Sequence, residues 1–206
     1  DKAAYWGPQA VESRLSKLAG GYLLSGVKPF VFDAQSATSF LCAARSEEGK
    51  VIFLIVDAKS PGITITPHIG FLVSVAEVRF DKVAVSPENL LGSSGANWST
   101  LEAALDKSLP ILCAYQVGAS QEVFDFTCEY TRTRVVFGQP IGRFQRVQDH
   151  CVEISIYLDA ARWATYETVW MLDSGTPAKA SVHEAKVIAS DGYHQACNYA
   201  HMVFAG

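Results

Sequence analysis

The 206-residue sequence has no long hydrophobic run, no basic cluster and few charges. Its longest purely apolar run, residues 51–56, is far shorter than the ~20 residues that a membrane-spanning helix needs. Charged residues make up 18% of the chain and the net charge is −4, and no segment interleaves basic with aromatic side chains. These absences argue against both a membrane-spanning protein and a nucleic-acid partner.

The cysteines are few, and their spacing does not indicate disulfide pairs. There are five, and they stand far apart among apolar residues, at Cys42, Cys113, Cys128, Cys151 and Cys197. A disulfide framework has an even number of cysteines at close, regular spacings, so this pattern favours a reducing compartment. The 49% hydrophobic content is instead typical of a globular chain that buries one large core or two modest ones.

The first half of the sequence predicts a β-domain over residues 1–92. Apolar and β-branched stretches separated by turn residues predict strands at residues 21–24, 27–32, 40–45, 51–56, 63–66 and 78–85. The Ser25-Gly26 pair between the first two stretches predicts a hairpin turn. We expect these strands to form a barrel-like or sandwich domain.

The second half, residues 93–206, predicts three helices. Apolar side chains recur every three or four residues in the first, at Leu101, Leu105, Leu112, Tyr115, Ala119, Val123 and Phe126. A second stripe runs from Val147 to Ala161 and its helix should end near Ser174-Gly175. Thr176-Pro177 predicts the N-cap and first turn of the third. The expected fold class is α+β, a β-domain followed by an antiparallel helical bundle.

The most informative segment is residues 130–145, YTRTRVVFGQPIGRFQ. Arg134 stands just before Phe137-Gly138, and Pro140 interrupts regular structure before the next helix. A forked, permanently charged guanidinium beside an aromatic ring and a glycine-rich bend suits an anionic, planar ligand. For the arginine alone, a salt bridge at the helix end is the competing interpretation.

Four segments, in order along the chain, resemble the acyl-CoA dehydrogenases, flavoenzymes that oxidise acyl-CoA thioesters to the trans-2-enoyl form. They are GGYLLSGVKPFVFDAQSATSFLCAARS, EVRFDKVAVSPENLLG, ALDKSLPILCAYQVG and RVVFGQPIGRFQ. The resemblance covers the later β-domain and three C-terminal helices, about half a family subunit. It implies an FAD cofactor, an acyl-CoA substrate and a role in fatty-acid β-oxidation. It also implies a homo- or heterotetramer, electron-transfer flavoprotein as the acceptor, and a bacterial cytoplasmic or mitochondrial matrix location.

The resemblance also assigns site residues. Arg134 would meet the FAD pyrophosphate of the neighbouring subunit, Val136 and Phe137 would pack on the dinucleotide, and Gln145 would bond its adenosine part. Further cofactor contacts would come from Phe30, Val31 and Phe32 against the flavin ring and from Met202 and Gly206 against the neighbour's FAD. The segment that matches the acyl-CoA pocket is Asp106, Lys107, Ser108 and Leu109.

Some positions depart from the family pattern. Phe32 replaces a threonine or serine that bonds the flavin, and Met202, Leu109 and Ala205 replace a glutamine, an arginine and a glycine. Phe32 therefore either blocks this subunit's flavin pocket, as in a flavin-free or structural subunit of a heteromeric enzyme, or faces the core. An acyl-CoA oxidase remains a further alternative. The catalytic base is unknown, because Ser108 stands where a minority of relatives carry it and a hydroxyl is too weak a base.

One further cluster has metal-binding residue types. His194, Cys197 and His201 share one face of the third predicted helix and could act as metal ligands. Their spacing is loose, no fourth ligand is evident, and the family resemblance implies no metal. We therefore expect no metal site.

Overall fold

The computed structural model describes residues 7–70, 73–92 and 97–204. The chain divides into two compact units, residues 1–102 and residues 103–206, each with its own buried core. Strands make up the first unit and helices the second, so the expected α+β fold class is confirmed.

The first unit is built on one six-stranded sheet. Its strands are β1 (Arg14–Leu18), β2 (Gly21–Phe32), β3 (Ser39–Ser46), β4 (Val51–Asp57), β5 (Ile63–Pro67) and β6 (Val75–Val85). They lie in the order β4-β3-β1-β2-β6-β5, and every neighbouring pair is antiparallel except β1 and β3. Leu24, Leu54 and Val78 are among the fully buried side chains of the core on one face of this sheet.

The predicted hairpin turn at Ser25-Gly26 is wrong. β2 continues through both residues, and the true turn lies earlier, at Gly20 with φ of 86°, between β2 and the unpredicted strand β1. Gly26 is needed for close packing, because an added Cβ would lie 2.7 Å from the Cα of Ser13. Glycine is therefore required at position 26 by packing against Ser13 and not by a turn.

The second unit contains most of α1 (Trp98–Thr133) together with α2 (Gln145–Asp173) and α3 (Lys179–Phe204). α1 continues through Pro110, and α2 ends where the sequence predicts. The predicted start of α3 at Thr176 is wrong, because that residue still belongs to the end of α2. Its amide donates to Met171 O at 2.9 Å, and its hydroxyl bonds that of Ser174.

The predicted apolar stripe of α1 packs only in part in this unit, since Val123 lies against the core. Leu112, Tyr115 and Phe126 are 45%, 72% and 43% exposed, whereas the buried residues are Pro110, Cys113, Ser120, Thr127 and Thr131. Ser120 and Thr127 satisfy their hydroxyls on carbonyls one turn earlier. Small residues bonded in this way fit a close helix contact, which hydrophobic periodicity does not detect.

α2 and α3 pack through small side chains on α3. Its buried residues are Val182, Ala185, Ala189, Gly192, Ala196, Ala200 and Val203. A Cβ on Gly192 would lie 3.1 Å from Tyr157 O and 3.6 Å from the Cβ of Ala161, so the two backbones approach closely at that point. Among the residues that the structure describes, no helix is long and apolar enough to cross a membrane.

Candidate cofactor and substrate site

The segment that contains Arg134 folds as a tight hairpin between α1 and α2. β7 (Val135–Val136) pairs with β8 (Gln139–Pro140) around Phe137 and Gly138, whose φ angles are 52° and 77°. Two consecutive positive φ angles in a two-residue loop are typical of a type I′ turn. The sequence predicted a bend here but not paired strands, since phenylalanine is an unusual first residue for this turn.

This corner is held against the end of α1. Ile141, which follows β8, is buried and donates its amide to Arg134 O at 2.9 Å. A Cβ on Gly142 would lie 3.0 Å from Thr131 O, so only glycine fits there without displacement. Gln148 adds a bond from its Nε2 to Gly142 O at 2.8 Å. The corner is therefore a fixed platform for the exposed side chains that it carries.

The guanidinium of Arg134 is exposed and has no acidic partner among residues 7–70, 73–92 and 97–204. Its neighbour Arg132 instead pairs with Glu129, at 3.6 Å. The interpretation of Arg134 as a structural salt-bridge residue is therefore not supported within this part of the chain. Its five donors remain available to an anion.

Phe137 is 92% exposed, and its ring and that of Phe144 meet edge to face, with centroids 6.4 Å apart and planes at 88°. A bulky residue with positive φ is a backbone outlier, and such outliers cluster at binding sites. The preceding Val136 is half-buried. Phe137 thus presents an aromatic surface to solvent at the tip of the turn.

Gln145 is exposed and is the first residue of α2. The N-cap, Phe144, provides no side-chain hydrogen bond to the free amides of the first turn, so the positive end of the helix remains available to an anion. Arg143 and Arg146, both exposed, add positive charge beside it. The structure therefore brings Arg134, Phe137 and Gln145 to one basic corner.

Met202 lies at the same end of the helical unit. It is 52% exposed, and two residues later Phe204 stacks on Tyr130 in the last turn of α1. Since Tyr130 also accepts the amide of Arg134 at 2.9 Å, the end of α3 adjoins the corner. Gly206, which the resemblance assigns to the same cofactor contact, lies outside the described residues.

The three residues expected against the flavin ring lie at the end of β2. Phe30 and Phe32 are 72% and 69% exposed, and Val31 packs against the core. The alternative in which Phe32 faces the core is therefore wrong. A bulge explains the orientation, because three steps along β2 from Lys28 to Val31 oppose two along β6.

The bulge changes the face of β2 on which the side chains after it lie. Leu24 and Val31 both contact the core, although an odd separation of seven positions would put them on opposite faces of a regular strand. Lys28 precedes the bulge and its Nζ donates to Ala43 O on β3 at 3.0 Å. Burial lowers the pKa of Lys28 and raises the pKa of the nearby Cys42 thiol to about 11. Proline within a strand, here Pro29, is typical of a bulge, although it does not indicate which way the following side chains face.

His68, the residue after β5, contacts the bulge, and the sequence pattern does not indicate this. Its Nε2 lies 2.7 Å from Pro29 O, and its ring lies against Phe30 with centroids 5.5 Å apart. Both contacts are to the bulge and join residues that are far apart in sequence, 39 positions for His68 and Pro29. No local pattern would have revealed them.

The expected substrate segment lies near the start of α1. Asp106 is half-buried, with Oδ1 3.4 Å from Nε2 of His183 on α3, and Ser108 Oγ donates to Leu105 O at 2.8 Å. Lys107 and Ser108 are exposed, and Leu109 is half-buried. This segment is not brought to the basic corner, because α1 rises about 40 Å between Asp106 and Thr133 at ~1.5 Å per residue.

The histidines of the possible metal cluster bond within their own helix. His194 Nε2 lies 3.1 Å from Asn198 Nδ2, and His201 Nδ1 lies 2.7 Å from Cys197 O. Within the described part of the chain, no group of three His, Cys, Asp or Glu side chains is placed to hold a metal ion. All five cysteines are free thiols.

The sequence is similar to known proteins of one family. Residues 97–206 match the family model described as "Acyl-CoA dehydrogenase, C-terminal domain". "Probable acyl-CoA dehydrogenase YngJ" of Bacillus subtilis (strain 168) is 30% identical over 194 residues, which is 90% of this chain and 51% of that protein. The chain thus spans about half the length of the curated relatives that it matches.

Solved structures share the fold. "PigA with FAD and proline" superposes with a TM-score of 0.91 at 24% identity, over 100% of this chain and 56% of that chain. The "ChsE4-ChsE5 complex from Mycobacterium tuberculosis" superposes with a TM-score of 0.83 at 25% identity, over 100% of this chain and 54% of that chain. From the family model together with the similarity over 90% of this chain, the chain belongs to the acyl-CoA dehydrogenase family.

Proposed function

We propose that the protein containing this chain is an FAD-dependent acyl-CoA dehydrogenase that oxidises an acyl-CoA thioester to trans-2-enoyl-CoA. The observation that carries the proposal is the Arg134 guanidinium, which has no acidic partner among the described residues and lies on a fixed corner beside the exposed Phe137 ring. An exposed cation next to an exposed aromatic ring can bind a ligand that has both a phosphate and a planar group.

The residues of the corner fit FAD. Arg134 and the amino end of α2 would hold its pyrophosphate, Phe137 would pack on the dinucleotide, and Gln145 would bond the adenosine part. When bound, FAD would accept the hydride that leaves the β-carbon of the substrate. Within the described residues, Ser108 is the position assigned to a base in some relatives, and its hydroxyl already donates to Leu105 O. We therefore assign the α-proton to a carboxylate elsewhere in the whole protein.

The corner would serve the cofactor of another subunit. About 40 Å of α1 separates it from the substrate segment at Asp106, so one chain does not supply both to one reacting centre. We propose a dimer of dimers, homomeric or heteromeric, that exchanges electrons with an electron-transfer flavoprotein. Support for a mixed assembly comes from the solved complex of ChsE4 with ChsE5.

The test is flavin retention in Arg134→Ala, with Arg132→Ala as the matched control, because Arg132 already has an acidic partner. Loss of a charge-assisted contact should weaken FAD binding by about 10- to 150-fold in Arg134→Ala. Arg132→Ala should retain flavin, measured by visible absorbance per folded subunit. Equal retention in both variants would show that Arg134 does not hold the cofactor.

A second candidate is a flavin-free subunit of a heteromeric dehydrogenase. It is favoured by one observation, the 69% exposed phenyl ring of Phe32 at the position where the family resemblance expects a flavin-bonding hydroxyl. In that case the basic corner would still complete a partner's site. A purified assembly with fewer than one FAD per chain would favour this candidate over the first.

A further inference from the structure

The bulge in β2 leaves its backbone groups without the usual strand partners. Pairing with β6 is regular at Lys28 and resumes at Val31, so Pro29 and Phe30 fall outside the ladder. Pro29 has no N–H to satisfy, but its carbonyl oxygen is an acceptor that needs a donor. The stability of the bulge therefore depends on what bonds this oxygen.

His68 is that donor. Since Pro29 O can only accept, the nitrogen 2.7 Å away, Nε2, must carry the proton. The amide of His68 donates to Val75 O at 2.9 Å, which ties the residue to β6 and limits its movement. Its ring also packs on Phe30, at an interplanar angle of 41°. One residue thus contacts both members of the bulge.

The bulge decides which side chains the end of β2 presents. In a regular strand Phe30 and Phe32 would share the core face with Lys28, and Val31 would point outward. That arrangement would bring two phenyl rings against Ala76 and Val78, both fully buried, in a core without space for them. With the bulge, both rings face outward and Val31 fills the core position.

We propose that His68 is a positioning residue that fixes the Pro29–Phe30 bulge and so sets the face of β2 offered to the flavin ring. The cofactor part rests on the proposed function, whereas the effect on the strand does not. His68 acts through Pro29 and Phe30 and needs no contact with FAD.

The first measurement is amide hydrogen exchange in the full-length protein freed of flavin. His68→Ala should speed exchange of residues 31–33 by roughly 2- to 12-fold, as expected for loss of one neutral hydrogen bond. His68→Gln, whose Nε2 can still donate, should restore protection. Thr66→Ala is the control, because Thr66 is exposed on the same edge strand.

The second measurement is FAD affinity together with the flavin absorption spectrum. His68→Ala should bind FAD about 2- to 12-fold more weakly, with shifted visible bands that His68→Gln recovers. Unchanged exchange at residues 31–33, or exchange raised equally across the whole first unit, would overturn the positioning role. Local loosening without any change in FAD affinity or spectrum would overturn its link to the cofactor. A wild-type protein that binds no flavin would refute the proposed function alone, since the exchange measurement still decides the role of His68.

Discussion

Tyr130 and Phe204 stack with ring centroids 4.3 Å apart and planes 25° from parallel. Tyr130 lies in the last turn of α1 and Phe204 is the final residue of α3. Phe126, one turn earlier on α1, adds a second ring contact to Phe204 at 5.5 Å. This small aromatic cluster fastens the end of α3 beside the corner that carries Arg134.

We therefore expect Phe204→Ala to loosen the end of α3. The loss of ring contacts should lower the free energy of unfolding by about 1 kcal/mol and increase hydrogen exchange in residues 199–204. Tyr130→Phe keeps both rings and should leave exchange unchanged. If Phe204→Ala exchanges like the wild type, the stack does not fasten the helix.

Phe32→Thr tests whether the phenyl ring obstructs the flavin pocket. It restores a hydroxyl and removes volume, so FAD per chain should rise if Phe32 blocks the pocket. Because Phe32 is largely exposed, stability should change by less than about 0.5 kcal/mol. Phe30→Thr, on the same face of β2, is the comparison. A homomeric wild-type preparation with one tightly bound FAD per chain would contradict the blocked-pocket hypothesis.

Alkaline pH should destabilise the first unit through Cys42. Burial raises its pKa from 9.0 to about 11, so the folded state holds the thiol proton more tightly than the unfolded state does. This contribution to stability is complete below pH 9 and is lost between pH 9 and about 11. Lys28, whose pKa burial lowers, opposes the trend because its buried charge disappears as pH rises.

The measurement is the unfolding free energy of Cys42→Ala and wild type over that pH range. The variant should lose less stability than the wild type between the two limits, by up to about 2 kcal/mol. Comparing the slopes removes the constant cost of the cavity that the substitution creates. Parallel slopes would show that the thiol does not titrate in the folded protein.

α2 has a second apolar face that predicts an interface. Trp163 and Trp170 are 66% and 65% exposed, and Val152 and Ile156 continue the same stripe, opposite the buried residues Ile154 and Leu158. A helix that is apolar on both faces is normally covered on both. Trp163→Glu should therefore shift sedimentation towards smaller species, while Glu122→Lys on the exposed surface of α1 should not. A wild-type monomer at micromolar concentration would exclude such an assembly.

Local pattern was enough to predict much of the fold. The β3–β4 hairpin followed from two apolar runs around a polar turn, and the end of α2 followed from Ser174-Gly175. The packed face of α1 followed only in part, because Ser120 and Thr127 are polar side chains that are buried with their hydroxyls bonded within the helix. Hydrophobic periodicity identifies large side chains, and several of those on α1, such as Leu112 and Tyr115, are exposed in this unit.

The candidate site divides in the same way. The basic corner was predictable because Arg134, Phe137 and Gln145 lie within twelve consecutive residues, and the family resemblance named them. The outward orientation of Phe32 was not, since it depends on a bulge that is bonded by His68, the residue after β5. Alternation along a strand predicts faces only while pairing is regular, and irregular pairing depends on distant residues.

The left-handed backbone at Phe137 has a consequence for the evolution of this surface. A phenylalanine at φ of 52° holds a conformation that glycine or asparagine would adopt with less strain, at a difference of about 1 kcal/mol. A substitution of Phe137 by glycine or asparagine would therefore make the corner more stable and would remove its aromatic surface. If the ring is kept, selection for binding would outweigh the stability that its replacement would add, which is a local trade-off between stability and function.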